Sequence, residues 1–262
     1  MKGKKRQGVI DRIPKGVWLL ISFLTAMIVW YILSITPSTA RVFANAVEVM
    51  KSVGVVTKRG ILFKDIGSSL ISVGAGYALG FLIALPTAIL MAWYRPVRHI
   101  LEPWIQFVRN IPPLAYVPLI VITVGVGRKP QIVVITIACF LLMCITIYQG
   151  VINVDETLIK AARVLGASDR DIFIYVVAPA TLPFILTAIR LGAGVALTTL
   201  IAAESTGATA GLGMRIRSFN SNFETTPMLL YIILIGIIGI TVDKFIKYLE
   251  RKLTGWQETR EK

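Results

Sequence analysis

Charged residues that could do chemistry are sparse in the long apolar stretches of this sequence. Arg190 lies about ten residues into one such stretch, or roughly 15 Å along a helix, which is near the middle of a bilayer. A charge at that depth is costly and normally faces protein or an aqueous cavity. Two interpretations stay open: Arg190 attracts an anion into a pathway, or it makes a structural pairing with another group or with carbonyls of a broken helix.

A second polar group follows at the end of the same stretch, where Glu204 precedes Ser205 and Thr206. Glu204 lies about 21 Å beyond Arg190 along a straight helix, so the two side chains cannot pair within it. We expect these three residues, together with Thr209, to belong to an outer gate of the pathway. The alternative is a solvated helix end.

Enzyme chemistry has little support in the remaining residues. The sequence contains no Gly-x-x-x-x-Gly-Lys-Ser/Thr loop, so we do not expect it to bind ATP by that device. His99 is the single histidine, and Cys139 and Cys144 lie five apart without a partnering histidine, as expected of small core residues. We therefore expect neither a catalytic site nor a cofactor or metal in this chain.

Composition excludes an ordinary soluble domain. Of the 262 residues, 55% are hydrophobic and 16% are charged, whereas soluble domains carry about a quarter charged residues. The net charge of +14 comes from basic residues at the ends of apolar stretches, which is typical of membrane topology. They are not interleaved with aromatic residues on one face, so we expect a lipid bilayer and not nucleic acid as the partner.

Hydropathy predicts an all-α polytopic membrane protein with six spans. We place the spans at about 17–35, 65–95, 109–127, 131–150, 180–203 and 227–242. We expect a short external helix around 41–51 and a basic loop at 95–109. The sequence divides into an N-terminal tail, first span and external loop (1–60), a core of five spans (61–252) and a C-terminal tail (253–262).

The distribution of lysine and arginine predicts the orientation. With both termini in the cytoplasm, eighteen of these residues face inward and nine face outward, as the positive-inside rule requires. We therefore expect a multi-pass protein of the cytoplasmic membrane with both termini inside.

Small residues predict where the spans pack closely. Gly76 and Gly80 are four apart in the second span, and Ala188, Gly192 and Ala196 follow the same spacing in the fifth.

The most distinctive polar stretch is 155–178, between the fourth and fifth spans. Asp155 is placed to cap a helix, Ala161 and Ala162 form a flat spot that another backbone can approach, and Gly166 is placed to end the helix. A second short amphipathic piece, 169–177, leads back into apolar sequence. We interpret the stretch as a docking knob held outside the bilayer.

This stretch resembles the cytoplasmic coupling loop of the permease subunits of bacterial ABC importers, whose pattern reads Glu-Ala-Ala, three residues, Gly, nine residues, Ile-x-Leu-Pro. Lys160 replaces the usual acid and Ala178 the usual leucine. The resemblance implies that an ATPase contacts the residues Ala161, Ala162, Arg163, Val164, Leu165, Gly166, Ala167 and Pro179.

A second run, from Arg109 to Ile120, resembles the branch of these permeases related to sulfonate, taurine and nitrate importers. It contains an arginine, an Ile-Pro-Pro and an Ala-x-x-Pro-Leu at the spacing of that branch. Prolines make the start of this helix irregular, and irregular backbone at membrane depth needs protein or a water-filled path beside it. Asn110, Pro112 and Pro113 are therefore expected along the pathway.

The resemblance implies a type I ABC importer permease fold with a cytoplasmic coupling helix. It implies two ATPase subunits that bind ATP and Mg, an external solute-binding protein, and a homodimer of this chain as the simpler assembly. The implied solute is a small anion of the sulfonate, taurine or nitrate type, although relatives with nearly the same scaffold carry vitamin precursors. The alternative function is an ion-gradient-driven carrier or channel, which would favour acidic or histidine relays within the spans. A membrane-embedded enzyme is a weaker third possibility.

Overall fold

The computed structural model describes residues 14–253, and this part of the chain is helical without a β-strand. The all-α prediction is confirmed. The helices are α1 (Lys15–Ile35), α2 (Ala46–Lys58), α3 (Ile61–Trp93), α4 (Arg95–Arg109), α5 (Pro113–Val124), α6 (Arg128–Ile152), α7 (Glu156–Val164), α8 (Asp169–Ile172), a π-helical turn (Phe173–Val177), α9 (Ala178–Glu204), α10 (Leu212–Ser221) and α11 (Thr225–Leu253). The predicted tail segments 1–13 and 254–262 lie outside the described residues.

Five straight helical runs are long and apolar enough to cross a membrane: α1, α3, α6, the continuous run from α8 through α9, and α11. The third predicted span, at 109–127, coincides with α5, which meets α4 at a bend of 103°, so the two helices form either a broken span or a re-entrant loop. α5 has 12 residues and reaches only about 18 Å, against a hydrocarbon core of about 30 Å. The consecutive prolines Pro112 and Pro113 account for the break, since neither supplies a backbone N–H and both restrict the preceding residue.

The structure corrects several predicted boundaries. Residues 95–109, expected to form a loop, form the amphipathic helix α4, which Pro96 starts favourably in its first turn. The short helix expected at 41–51 is α2, which begins later because Asn45 caps it by accepting a hydrogen bond from the Val47 N–H at 2.9 Å. α11 continues past the predicted end at 242, where an exposed Asp243–Lys247 pair supports the added turns.

α6 is the most buried of the membrane-spanning helices in the described chain, and it packs between α3 and α9. Gly76 and Gly80 bring α3 onto it, since a Cβ built on either glycine would lie 2.7 Å from the Cβ of Ile135 or Cys139. On the other side, Gly192 of α9 packs against the methionine side chain of Met143. The small-residue prediction is confirmed, and Cys139 and Cys144 are buried in this core as expected.

The antiparallel helices give the bundle two ends. At the α7 end, Trp93 of α3 packs edge-to-face on Phe173 of the π-helical turn, with ring centroids 5.3 Å apart. At the α10 end, the Gly127 N–H before α6 donates to the Gly207 carbonyl after α9 at 3.1 Å. α6 therefore connects the two ends through the centre of the molecule.

Replacing Gly76 with alanine tests the contact between α3 and α6. The new methyl group would meet the Ile135 Cβ at 2.7 Å and the Ile132 carbonyl at 3.0 Å, and such overpacking costs about 1–3 kcal/mol. The thermal midpoint of the purified protein in detergent should fall. Gly74→Ala is the matched control, since its methyl group would meet no atom within 4 Å and alanine favours the helix. Equal midpoints for the two variants would contradict the close packing.

Candidate functional sites: an exposed helical knob and a membrane cavity

The first turn of α7 is fixed by its own side chains. The Asp155 carboxylate accepts a hydrogen bond from the Thr157 N–H at 2.8 Å, which confirms the predicted cap and lowers the pKa of Asp155. Glu156 in the first turn suits the positive end of the helix dipole. Lys160, at the position of the acid in the pattern that this stretch resembles, donates to Glu156 at 2.9 Å, and this bond lowers the pKa of Glu156 and raises that of Lys160.

Gly166 ends α7 as predicted, in a left-handed conformation with φ of 84°. Its N–H donates to the Arg163 carbonyl and the Ala167 N–H donates to the Ala162 carbonyl, both at 3.0 Å. This pair of bonds is a Schellman motif, which satisfies the carbonyls at the helix end. The knob, defined as residues 155–171, is thus locked at both ends of its first helix.

The second half of the knob leads directly into the membrane helix. Ser168 and Asp171 form a reciprocal capping box at the start of α8. The chain then passes through the π-helical turn, which precedes Pro179 in the first turn of α9. The wider turn fits the proline, because Pro179 has no N–H and its ring would clash with a carbonyl four residues back. α8, the π-helical turn and α9 therefore form one continuous helical run with the knob attached.

The two faces of α7 differ in what they contact. Ile159 and Ala162 pack inward on a cluster formed by Val154, Ile172 and Val177. The outer face carries Leu158, Ala161, Val164 and Leu165, and the last two are each 86% exposed. The predicted flat spot is thus divided, with Ala162 packed inward and Ala161 exposed. Arg163 lies beside this face and pairs with Asp169 at 3.4 Å on the exposed surface.

A cavity of about 310 Å³ lies where α4 breaks into α5. α6 and α9 form its other walls. Its polar lining residues are Arg109, Tyr116, Thr198 and Thr199. Its apolar lining comes from Ile111, Pro113, Ala138, Leu141, Leu142 and Val195.

The predicted pathway residues lie in different places. Pro113 lines the cavity, whereas Pro112 caps α5 and the Asn110 side chain donates to the Gln106 carbonyl at 2.7 Å. Arg190 pairs with Glu250 of α11 at 3.1 Å, with both side chains half-buried. Of the two interpretations of Arg190, the structure therefore agrees with the second, in which Arg190 pairs with another group of the protein.

Glu204 is fully buried, so it is not a solvated helix end. Its carboxylate accepts hydrogen bonds from the Ser69 hydroxyl and the Gly213 N–H, both at 2.7 Å. Ser205 donates to the Ile201 carbonyl at 2.6 Å, and its own carbonyl accepts from Arg217. Ser205 and Arg217 line a shallow polar depression, while the gate role of Glu204, Ser205 and Thr206 stays a prediction.

A second buried carboxylate, Asp65, holds the same loop from the start of α3. It pairs with Arg215 at 2.8 Å and accepts from the Tyr231 hydroxyl at 3.0 Å and the Gly211 N–H at 3.1 Å. Gly211 has φ of 136°, and a Cβ there would collide with the Glu204 carboxylate. Together these bonds tie α3, α9, α10 and α11 into what we call the polar latch: Asp65, Ser69, Glu204, Arg215 and Tyr231.

Sequence reasoning missed the polar latch and most of the cavity. Asp65 and Ser69 are four apart at the start of a span, so they share one helix face, and this spacing was the available signal. Arg109 belonged to a recognised run but was counted as a loop residue. Nothing in the sequence separates Thr199 from the other threonines of α9.

Comparisons with known proteins agree with this geometry. Residues 76–255 match the family model described as binding-protein-dependent transport system inner membrane component. A probable ABC transporter permease of Brucella abortus strain 2308 is 43% identical over 91% of this chain and 95% of its own length. The taurine transport system permease TauC of Escherichia coli K12 is 37% identical over 74% of this chain and 71% of its own.

Two further matches extend the comparison. The putative aliphatic sulfonates transport permease SsuC of Bacillus subtilis is 29% identical over 99% of this chain and 92% of its own. Among solved structures, an inward-facing MetNI methionine ABC transporter superposes with a TM-score of 0.64 at 21% identity, covering 74% of this chain and 96% of the matched one. The structural match shows the same fold.

The polar latch makes a stability prediction. Asp65→Asn should lower the free energy of unfolding by about 3 kcal/mol, because it leaves the Arg215 charge without its partner at a largely buried site. Asp243→Asn is the matched control, since its pair with Lys247 is exposed and such pairs contribute about 0–1 kcal/mol. Thermal melts of both variants in detergent measure the difference. Similar midpoints would argue against a buried ion pair.

The Arg190–Glu250 pair makes a second prediction. Arg190→Gln should reduce the stability of the protein by leaving the half-buried Glu250 carboxylate without this cation. Adding Glu250→Gln should recover part of the loss, because the carboxylate that has lost Arg190 is then removed. A double-mutant cycle on thermal midpoints measures the coupling. Purely additive effects would sink the structural interpretation of Arg190.

Proposed function

Because this chain belongs to the binding-protein-dependent transport system inner membrane component family, we propose that it is the permease subunit that carries a small anionic solute through an ABC importer. The proposal that this chain couples to an ATPase rests on one observation, the structure of the knob. Its apolar outer face is exposed, its helix is capped at both ends, and it continues into a membrane helix that lines the cavity.

The exposed face of α7 fits a protein partner and not solvent. Val164 and Leu165 are large apolar side chains with most of their surface accessible, at the end of the bundle where Trp93 meets Phe173. Apolar side chains at the centre of an interface, with a polar rim, are typical of protein–protein contacts. We propose that an ATPase subunit binds here, with Arg163 and Lys160 at the rim.

The solute class is supported by the relatives. Relatives named for a solute are permeases for taurine and bicarbonate and a putative permease for aliphatic sulfonates, and each of these solutes carries an anionic group. We propose a solute of this kind for this chain, delivered by an external binding protein. The eighteen-to-nine bias of lysine and arginine supports cytoplasmic termini and hence a cytoplasmic knob.

The mechanism that we propose is an exchange between two states. Two ATPase subunits bind the knobs of two copies of this chain, and ATP draws the ATPases together. Because the knob is rigid and fused to α9, its displacement is passed to the cavity wall. ATP can shift the equilibrium only by as much as it favours one state over the other, and hydrolysis with product release returns the system to its starting state.

Reconstitution tests this function directly. The permease would be purified with its candidate ATPase and binding protein in lipid nanodiscs, and ATPase activity measured against taurine, ethanesulfonate, nitrate and bicarbonate. Stimulation by a loaded binding protein is the expected result. A chain that purifies alone and moves solute without ATP would instead be a self-contained carrier or channel.

The knob itself makes a mutational prediction. Leu165→Asp should weaken ATPase co-purification by about tenfold or more, because it places an unpaired carboxylate in an apolar contact. The thermal midpoint of the isolated permease should stay unchanged, since Leu165 is 86% exposed.

Phe223→Asp is the matched control. Phe223 is 90% exposed at the α10 end, far from the knob, so the ATPase should co-purify normally with this variant. Equal co-purification of the Leu165→Asp variant would remove the ATPase from this face of α7.

A further inference from the structure

We propose that the cavity at the α4–α5 break is the compartment where the solute's anionic group is bound during passage, with Arg109 supplying the charge and the Thr199 hydroxyl a hydrogen bond. The inference rests on the proposed function and deepens it by assigning the residues that recognise the solute. It moves recognition away from Arg190, whose charge is matched by Glu250.

Thr199 is the first observation that points to a ligand. The residue is only 3% exposed, yet it lines the cavity. Its hydroxyl makes no hydrogen bond to any residue between 14 and 253. Because the residue is otherwise buried and its hydroxyl has no protein partner, the hydroxyl is available to bond water or a ligand in the cavity. The neighbouring Thr198 differs, because its hydroxyl donates to the carbonyls of Val195 and Gly194 in its own helix.

Arg109 is the second observation. Among the described residues lining the cavity it is the one charged group; it is exposed, and no carboxylate of residues 14–253 forms an ion pair with it. Its position at the end of α4 places it beside the start of α5, which has no side-chain cap. The start of a helix carries partial positive charge, so α5 and Arg109 both favour an anion.

The rest of the cavity limits what the anion can be. Most of the lining is apolar, from residues such as Leu141 and Val195, and a volume of about 310 Å³ suits a small molecule. With one guanidinium and no second cation in the lining, the site fits a single negative charge. The class that we infer is a small monoanion or zwitterion with one oxyanion group. This group is either the whole solute or is attached to a short apolar chain.

Two substitutions test the assignment in the complete importer, reconstituted in proteoliposomes with ATPase and saturating binding protein. Arg109→Gln should reduce the uptake rate of the transported anion by about tenfold or more, as expected for a lost charged hydrogen bond. Arg109→Lys should recover part of the rate. Thr199→Val keeps the shape of the side chain and breaks no internal hydrogen bond, so uptake should fall about threefold or more without a change in thermal midpoint.

The matched controls lie on the same two helices. Thr198→Val removes a hydroxyl that is already satisfied, and Arg95→Gln removes an exposed charge at the opposite end of α4. Both should transport within about twofold of wild type, as expected away from recognition contacts.

The outcomes separate this inference from the proposed function. If the wild-type importer takes up an anion of the panel with ATP, and both Arg109→Gln and Thr199→Val transport it at the wild-type rate, the cavity assignment is overturned and the permease function stands. ATP-driven uptake of an uncharged solute alone would also overturn the assignment. If wild type shows no ATP-dependent uptake of any panel member with a loaded binding protein, the proposed anion import itself fails.

Discussion

The contact of α6 with α3 and α9 is the constraint on which the rest of the structure depends. Gly76 and Gly80 let α3 approach until backbone and Cβ atoms touch, and Met143 fills the space that Gly192 leaves on the other side. Lipid tails are as apolar as leucine, so helices in a bilayer gain little from hydrophobic burial and must gain from such close packing. A rigid central unit is the result, with the knob at one end and the polar latch at the other.

The two stretches of irregular backbone differ in whether their polar groups are hydrogen-bonded within the protein. The buried carboxylates of Asp65 and Glu204 accept hydrogen bonds from the N–H groups of Gly211, just before α10, and Gly213, in its first turn, so the glycine-rich connection from α9 is fixed where it enters α10. At the α4–α5 break, by contrast, the chain leaves Arg109 and the Thr199 hydroxyl facing a cavity. Irregular backbone at membrane depth is tolerated beside protein or a water-filled space. The connection before α10 is the first case, and the α4–α5 break beside the cavity is the second.

Much of this architecture could be predicted from the sequence because its signals are local. Asp155 and Gly166 define the ends of α7 through short-range bonds, and the Gly76–Gly80 spacing marks a packing face without knowledge of the partner helix. The partners of the ionisable residues could not be predicted, because they come from distant segments. Arg190 is 60 positions from Glu250, and Asp65 is 150 positions from Arg215. Likewise, Thr199 differs from Thr198 only through the helices that surround them.

The central claim is that ATP moves the knob, and the distance between the knobs of two permease copies measures this most directly. A spin label at Arg170→Cys reports it, since Arg170 is exposed on the knob outside the proposed ATPase face, whereas the native Cys139 and Cys144 are buried. In the reconstituted importer, pulsed electron paramagnetic resonance should show one distance distribution without nucleotide and a shorter one with trapped ATP. An unchanged distribution in a complex that hydrolyses ATP and imports solute would contradict the account.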